Sequence, residues 1–271
     1  MKRFEDKTAI ITGGSKGLGR TIADRLAAEG AEVLIAGRNE VDLERAVAEI
    51  EAAGGRAFSL PGDVAEADFC AGLVDAALER WGRIDVLVNN AGVFDEAPFL
   101  EIAAKNWDFV VDVMLKAPFL LSQRAAQAMV GNGGGAIVHL ASIDGHAVDG
   151  PFTSYSVAKA GLMQLSKNIA VELGPQGVRS NTVSPGWALT PMVEAATDAE
   201  ELKRMKGDFK RVPLRRMVTP EEVAAAVCFL ACEEASGITG TDLVVDGGTI
   251  ADLYILPTLE GGNDSASQGE K

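Results

Sequence analysis

The sequence predicts a doubly wound α/β domain, a seven-stranded parallel sheet with helices on both faces. Three observations lead there. Short apolar runs rich in β-branched residues alternate with amphipathic stretches of helical spacing along most of the chain. A glycine-rich turn follows the first apolar run. The chain has 271 residues, 47% of them hydrophobic, which suffices for one large domain with a full core.

Taken in order, Thr8–Ile11 is short, apolar and stopped by Thr12-Gly13-Gly14, as a buried parallel strand should be. The period then lengthens to that of a helix over Gly19–Ala28. The same exchange recurs as strand Glu32–Ala36 with helix Glu40–Ala53, and strand Arg56–Ser59 with helix Asp68–Trp81. Strand Val86–Asn89 is followed by a single long helix, Trp107–Val130. Strand Ala136–Leu140 leads to helix Tyr155–Leu173, and strand Val178–Val183 to helix Pro220–Cys232. Asp242–Val245 closes the sheet. Strand–helix alternation of this kind winds right-handed crossovers onto both faces of one sheet. Residues 1–250 are therefore expected to form a single domain, with 251–271 as a tail.

Two regions leave the pattern. Residues 187–217 carry little strand signal and a basic cluster, Lys203, Arg204, Lys206, Lys210, Arg211, Arg215 and Arg216. Such a run is either a solvated helical insertion or a lid over a substrate. In the tail, Tyr254-Ile255-Leu256-Pro257 is apolar enough to dock, whereas Gly261–Lys271 is expected to be disordered.

Composition excludes several classes. With 25 basic against 39 acidic residues the net charge is −14, which argues against nucleic acid. Three cysteines, Cys70, Cys228 and Cys232, form no C-x-x-C pair; a disulfide framework is not expected and a reducing, cytoplasmic setting is. The longest apolar run, Val223–Cys232, is half a membrane span, and Ala9-Ile10-Ile11 is too short for a signal-peptide core, so no membrane partner is expected. Two histidines, His139 and His146, suggest no metal site.

Thr12–Gly19 reads G-x-x-x-G-x-G between a strand and a helix. Glycines there let backbone approach a pyrophosphate, and the helix start offers free N–H groups and a positive dipole end. Gly13, Ser15, Lys16, Gly17, Leu18 and Gly19 are thus candidate cofactor contacts, with a structural glycine turn as the alternative. At the end of the second strand a carboxylate would accept a ribose 2′-hydroxyl and repel a 2′-phosphate. Gly37 stands there instead, followed by Arg38 and Asn39, and Lys16 lies in the turn. Arginine forks onto phosphate. NADP(H) is expected over NAD(H).

Tyr155 and Lys159 are four residues apart and share a helix face. A free phenol ionises near pH 10, and a neighbouring ammonium draws that value down. Ser142 follows the fifth strand at its carboxyl end, where a hydroxyl can hold a substrate oxygen.

Together these residues resemble the short-chain dehydrogenase/reductase family over residues 4 to about 250. The motifs are Thr12–Gly19, Asp63-Val64, Asn89-Asn90-Ala91-Gly92, Ser142, Tyr155 with Lys159, Pro185-Gly186 with Thr190, Ile238-Thr239-Gly240 and Asp246-Gly247-Gly248. The resemblance implies a Rossmann-type fold, a homotetramer packed through the long helices, and hydride transfer between a nicotinamide and a carbonyl or carbinol carbon. It implies Tyr155 as general acid/base, Lys159 as the group that lowers its pKa and binds the nicotinamide ribose, and Ser142 on the reacting oxygen. It places Asp63 and Val64 beside the adenine, Asn90, Ala91 and Gly92 along the inner cofactor wall, and Pro185, Gly186 and Thr190 near the carboxamide or phosphates. One position departs: Met114 stands where the family has an asparagine that supports a kink and a proton-feeding water chain, so a slower or rerouted relay is expected.

Asp144, His146 and Trp187 are expected beside the substrate, and Phe94, Phe152, Leu189 and Met192 would complete an apolar pocket for a hydrophobic or cyclic ketone or alcohol. A 3-oxoacyl thioester on a carrier protein is the alternative substrate, although Ser122–Asn132 offers one arginine for docking. A dinucleotide-binding regulator without activity is the alternative of another class.

Overall fold

The computed structural model describes residues 2–190, 193–194 and 197–252. Strand β1 (Thr8–Thr12) sits near the middle of a seven-stranded sheet of order β3-β2-β1-β4-β5-β6-β7, parallel throughout. The others are β2 (Glu32–Gly37), β3 (Arg56–Pro61), β4 (Val86–Asn89), β5 (Gly135–Leu140), β6 (Val178–Pro185) and β7 (Asp242–Val245). The order reverses beside β1, between β2 and β4, and in such sheets the crevice for a ligand opens outside the carboxyl ends at that point. The expected fold class is the observed one. β6 runs two residues beyond its expected end because Ser184 and Pro185 still pair with Val244 and Val245.

Helices α1 (Gly17–Ala28), α2 (Glu40–Ala52) and α3 (Ala67–Trp81) follow the first three strands. After β4 come α4 (Ala104–Val111), a π turn (Asp112–Lys116) and α5 (Ala117–Gly131). Helices α6 (Thr153–Leu173), α7 (Ala199–Gly207) and α8 (Pro220–Ala231) complete the set. One core packs α1, α2 and α8 on one face of the sheet, with Ile11, Val33, Val88 and Val183 at its floor. The other packs α3, α5 and α6 over Ile10, Leu34, Leu87 and Ile137.

The single helix expected over Trp107–Val130 is not continuous. Pro118 has no N–H to offer the Met114 carbonyl four residues back, so an unbroken α-helical ladder cannot pass this point and the helix widens into the π turn. The kink expected to need an asparagine therefore forms with methionine at 114.

Among the described residues of 187–217, Ala188, Met205, Val212 and Met217 are buried, and Ala188 bridges Val218 in parallel. Four cations of the basic cluster pair with this chain's own acids at the surface: Arg204 with Glu201, Lys206 with Glu194, Arg211 with Asp149 and Arg216 with Glu222. Beyond Gly248 the described chain makes one 3-10 turn, Thr249–Ala251. The docking expected of Tyr254–Pro257 and the disorder expected of 261–271 fall outside the described residues.

A transverse polar row crosses the second face. Asn89, His139, Thr182 and Asp242 are register partners on β4, β5, β6 and β7. Asn89 Nδ2 lies 3.1 Å from His139 Nδ1 and donates to Ser122 Oγ at 3.1 Å. His139 Nε2 meets Ser180 Oγ at 3.3 Å, and Ser180 meets Ser166 at 2.9 Å. The three cysteines are free, buried thiols.

Candidate active site

The glycine turn is shaped by its own backbone. Gly13 has φ +67°, and a Cβ at Gly19 would lie 2.2 Å from the Gly13 carbonyl oxygen and 2.3 Å from Asn90 Nδ2. Asn90 Nδ2 donates to the carbonyls of Thr12 at 2.8 Å and Gly13 at 3.3 Å, while Thr12 Oγ1 accepts from the N–H groups of Asn90 and Ala91 at 3.0 Å each. Asn90 thus braces the turn, which ties the end of β4 to the end of β1. No side chain caps the first N–H groups of α1, which leaves that helix end suited to a pyrophosphate. A shallow cradle of glycine backbone with uncapped donors fits a dinucleotide.

At the adenosine end, Arg38 is two-thirds exposed and 4.0 Å from Asp63, and Lys16 Nζ lies 2.6 Å from Asp42 Oδ2. Asn39 caps α2 by accepting from the Asp42 N–H at 3.0 Å, and Asp63 Oδ1 accepts from Ala65 N–H at 3.0 Å. These two residues therefore hold local turns. Val64 is buried beside them.

Ser142, Tyr155 and Lys159 come together at the carboxyl end of β5. Ser142 Oγ accepts from the Asp144 N–H at 3.1 Å and lies 3.3 Å from Asp144 Oδ2, to which it donates. Burial pushes the Tyr155 phenol up to about 12; a hydrogen bond with Ser142 opposes this and the charge of Asp144 adds to it. Lys159 Nζ lies 5.4 Å from the centre of the Tyr155 ring and donates to the Leu140 carbonyl at 2.5 Å. Burial brings its ammonium down to about 8. Burial, and then the Lys159 charge, pushes His139 down to about 3, so its imidazole is neutral.

An aromatic wall stands beside the phenol: Phe94 is 4.7 Å from Phe152 and 6.0 Å from Tyr155, centre to centre. Trp187 packs edge-on against Phe209 at 6.0 Å, with the Arg211 guanidinium 5.9 Å above its ring. The ion pair of Arg211 with Asp149 ties the segment after Trp187 to the loop after Ser142.

His146, expected along the substrate wall, places Nε2 2.7 Å from Asp242 Oδ2 on β7. Gly186 donates to Val245 at 2.9 Å, which ties Pro185-Gly186 to β7, and Thr190 Oγ1 accepts from Val193 N–H at 3.4 Å as a cap does. Met192 lies outside the described residues. No local pattern points to Asp149, Phe209 or Asp242 as part of this region. Their partners lie far along the chain, and Arg211 was one member of a charge run. Among the described residues no cluster of three or more His, Cys, Asp or Glu could hold a metal, and no helix is long and apolar enough to cross a membrane.

A family model described as Enoyl-(Acyl carrier protein) reductase matches residues 13–249. The chain is 40% identical over 255 residues to L-rhamnose 1-dehydrogenase (NAD(P)(+)) of Azotobacter vinelandii, covering 92% of this chain and 98% of that protein. It is 34% identical over 248 residues to 3-oxoacyl-[acyl-carrier-protein] reductase FabG of Thermotoga maritima, covering 92% and 99%. Among solved structures it resembles 7 alpha-hydroxysteroid dehydrogenase complexed with NADH and 7-oxo glycochenodeoxycholic acid, with TM-score 0.87 and 33% identity over 93% of this chain and 98% of that one.

Proposed function

The chain belongs to the short-chain dehydrogenase/reductase family of oxidoreductases, and from that premise we propose an NADP(H)-dependent enzyme acting on a hydrophobic or cyclic ketone or secondary alcohol. When bound, the nicotinamide supplies or accepts the hydride. The observation that carries the proposal is the placing of a half-buried phenol next to a buried lysine and a hydrogen-bonded serine at one sheet end. Ser142 Oγ would turn its one hydroxyl hydrogen from Asp144 Oδ2 to the reacting oxygen. Tyr155 takes the hydroxyl proton during oxidation and gives it back during reduction. A protonated Lys159 would draw the phenol's pKa down, and this help would weaken as pH rises through about 8, where burial has brought the ammonium.

Gly13, Ser15, Gly17, Leu18 and Gly19 would wrap the pyrophosphate, and Asn90, Ala91, Gly92, Pro185, Gly186 and Thr190 would line the nicotinamide half. Lys16, Arg38 and Asn39 would surround the adenosine ribose beside Asp63 and Val64. No carboxylate stands at Gly37 to repel a 2′-phosphate, and two cations are within reach of it. This favours NADP(H).

A homotetramer packed through α5 and α6 is part of the same proposal, supported by Phe119 and Val157, which are 44% and 47% exposed on those helices. Cytoplasmic placement is supported by the three free thiols. A 3-oxoacyl thioester on an acidic carrier has less support, because Arg204, Lys206, Arg211 and Arg216 hold carboxylates of this chain.

The test is oxidation of NADPH and NADH, followed by absorbance, against cyclic diketones, aromatic ketones, an acetoacetyl thioester and hydroxylated ketones. Turnover should prefer NADPH and vanish in Tyr155→Phe. Undiminished turnover in that variant would overturn the role of the phenol. Tight NADPH binding with no turnover would leave a dinucleotide-binding regulator.

A further inference from the structure

We propose that Asp144 is a substrate-recognition residue whose carboxylate accepts a hydrogen bond from a hydroxyl on the carbon next to the reacting one, so that the enzyme acts on α-hydroxy ketones and vicinal diols. The inference rests on Ser142, Tyr155 and Lys159 being the reacting centre.

Asp144 sits in the 3-10 turn Ile143–Gly145, two residues after Ser142. The turn itself does not need this side chain. Its cap is Ser142 Oγ accepting the Asp144 backbone N–H at 3.1 Å, which any residue would supply. Of the two carboxylate oxygens, Oδ2 accepts only from Ser142 Oγ at 3.3 Å, and Oδ1 is buried with no hydrogen-bond partner among the described residues. An ionised carboxylate has about four acceptor sites, and leaving them unmet away from water is costly.

The nearby cations ease the charge of Asp144 from a distance but give its oxygens no hydrogen bond. Arg211 is bound to Asp149, and Lys159 Nζ to the Leu140 carbonyl. Burial and then Asp149 raise the pKa of Asp144, while the Ser142 bond, Arg211 and Lys159 lower it. The Asp144 charge also raises Tyr155 and supports the charged form of Lys159. Neither effect supplies a donor to the carboxylate oxygen left unpaired, and a ligand that brings its own donor would.

The position defines that donor. Ser142 Oγ holds the reacting oxygen, and Asp144 Oδ2 is one hydrogen bond from Ser142 Oγ. Neighbouring oxygens of a vicinal diol are themselves about one hydrogen-bond length apart, so the second oxygen falls next to the carboxylate. Two acids, Asp144 and Asp149, already face two cations, Lys159 and Arg211. The balanced charge calls for a neutral hydroxyl and not an ammonium group. Phe94 and Phe152, stacked beside Tyr155, supply an apolar wall for the carbon face of such a molecule.

The experiment compares 2-hydroxycyclohexanone with cyclohexanone as substrates for NADPH oxidation, in the wild type, Asp144→Asn and Asp144→Ala. A site that binds a substrate hydroxyl through a buried polar group rejects the analogue lacking it strongly, so wild-type kcat/KM should favour the hydroxy ketone by about 100-fold or more. The ratio should fall towards one in Asp144→Ala. It should fall less in Asp144→Asn, which keeps an acceptor oxygen. A ratio is indifferent to a general loss of active enzyme, and the wild-type comparison needs no variant to fold. Asp144→Asn should also move the pH profile with cyclohexanone to lower pH, because a charge that raises Tyr155 is removed. Equal efficiency on both ketones in the wild type, or an unchanged ratio in Asp144→Ala, overturns the inference and leaves the hydride-transfer proposal standing. No turnover on these or any other ketone overturns both.

Discussion

Replacing Lys159 by methionine should make the protein more stable while abolishing its activity. The ammonium is 5% exposed, and burial carries its pKa from 10.5 to about 8. That fall means that the charged form is disfavoured in the folded state by about 3 kcal/mol. The sign follows from proton counting. Between pH 8 and 10.5 the unfolded chain holds more protons than the folded one, so wild-type stability rises with pH across that window. Below about pH 8 the whole cost is present. Lys159→Met removes it, keeps the length and apolar stem, and loses one hydrogen bond to the Leu140 carbonyl, worth about 1 kcal/mol. A net gain of about 2 kcal/mol remains, or roughly 4–8 °C in Tm for a domain of this size. Thermal unfolding of cofactor-free protein at pH 7 and pH 10 is the assay. The variant should melt higher at pH 7, and its advantage should shrink at pH 10. A variant that melts lower at pH 7, or whose advantage is the same at both pH values, would refute the assignment of Lys159 as a costly buried cation.

Three further outcomes can be checked. Gly19→Ala forces a methyl against the Gly13 carbonyl and Asn90, so NADPH affinity measured by fluorescence titration should fall at least tenfold, and unchanged affinity would mean that the turn yields easily. Arg38→Ala should raise the KM for NADPH by about tenfold and that for NADH far less; equal changes would remove Arg38 from the 2′-phosphate. Met114→Asn should raise turnover several-fold or shift its pH profile if the proton relay limits the enzyme, and an identical profile would show that the backbone of the π turn serves equally well.

The strands were legible because most are short β-branched runs stopped by turn residues, and all seven appear within two residues of where the pattern put them. Tyr155 and Lys159 were legible because four residues make one helical turn. The broken helix was missed although Pro118 announced it: the apolar periodicity over Trp107–Val130 is continuous, and periodicity does not register a missing donor. In residues 187–217 the few buried apolar side chains, Met205, Val212 and Met217, are diluted among charges, so the sequence showed only a polar run. The clasp of Asp149 with Arg211 spans 62 residues, and no local pattern encodes such a meeting. Pairing energies and pKa values were equally out of reach, since burial is a property of the assembled layers.

The polar row Asn89, His139, Thr182 and Asp242 bears on how the chain finds its fold. β4 and β5 are short apolar runs, and hydrophobic burial alone scarcely distinguishes one alignment of them from another shifted by two residues along the strand. The hydrogen bonds of the row do distinguish them. A shifted β5 would carry His139 away from both Asn89 and Ser180 and leave the two nitrogens of its buried imidazole unpaired. At about 1–3 kcal/mol for each orphan, a single slip would cost a large part of a typical domain's net stability. The row acts as a combination lock for the sheet, and the pairing that satisfies it is also the one that brings Ser142 to the turn of α6 that carries Tyr155 and Lys159.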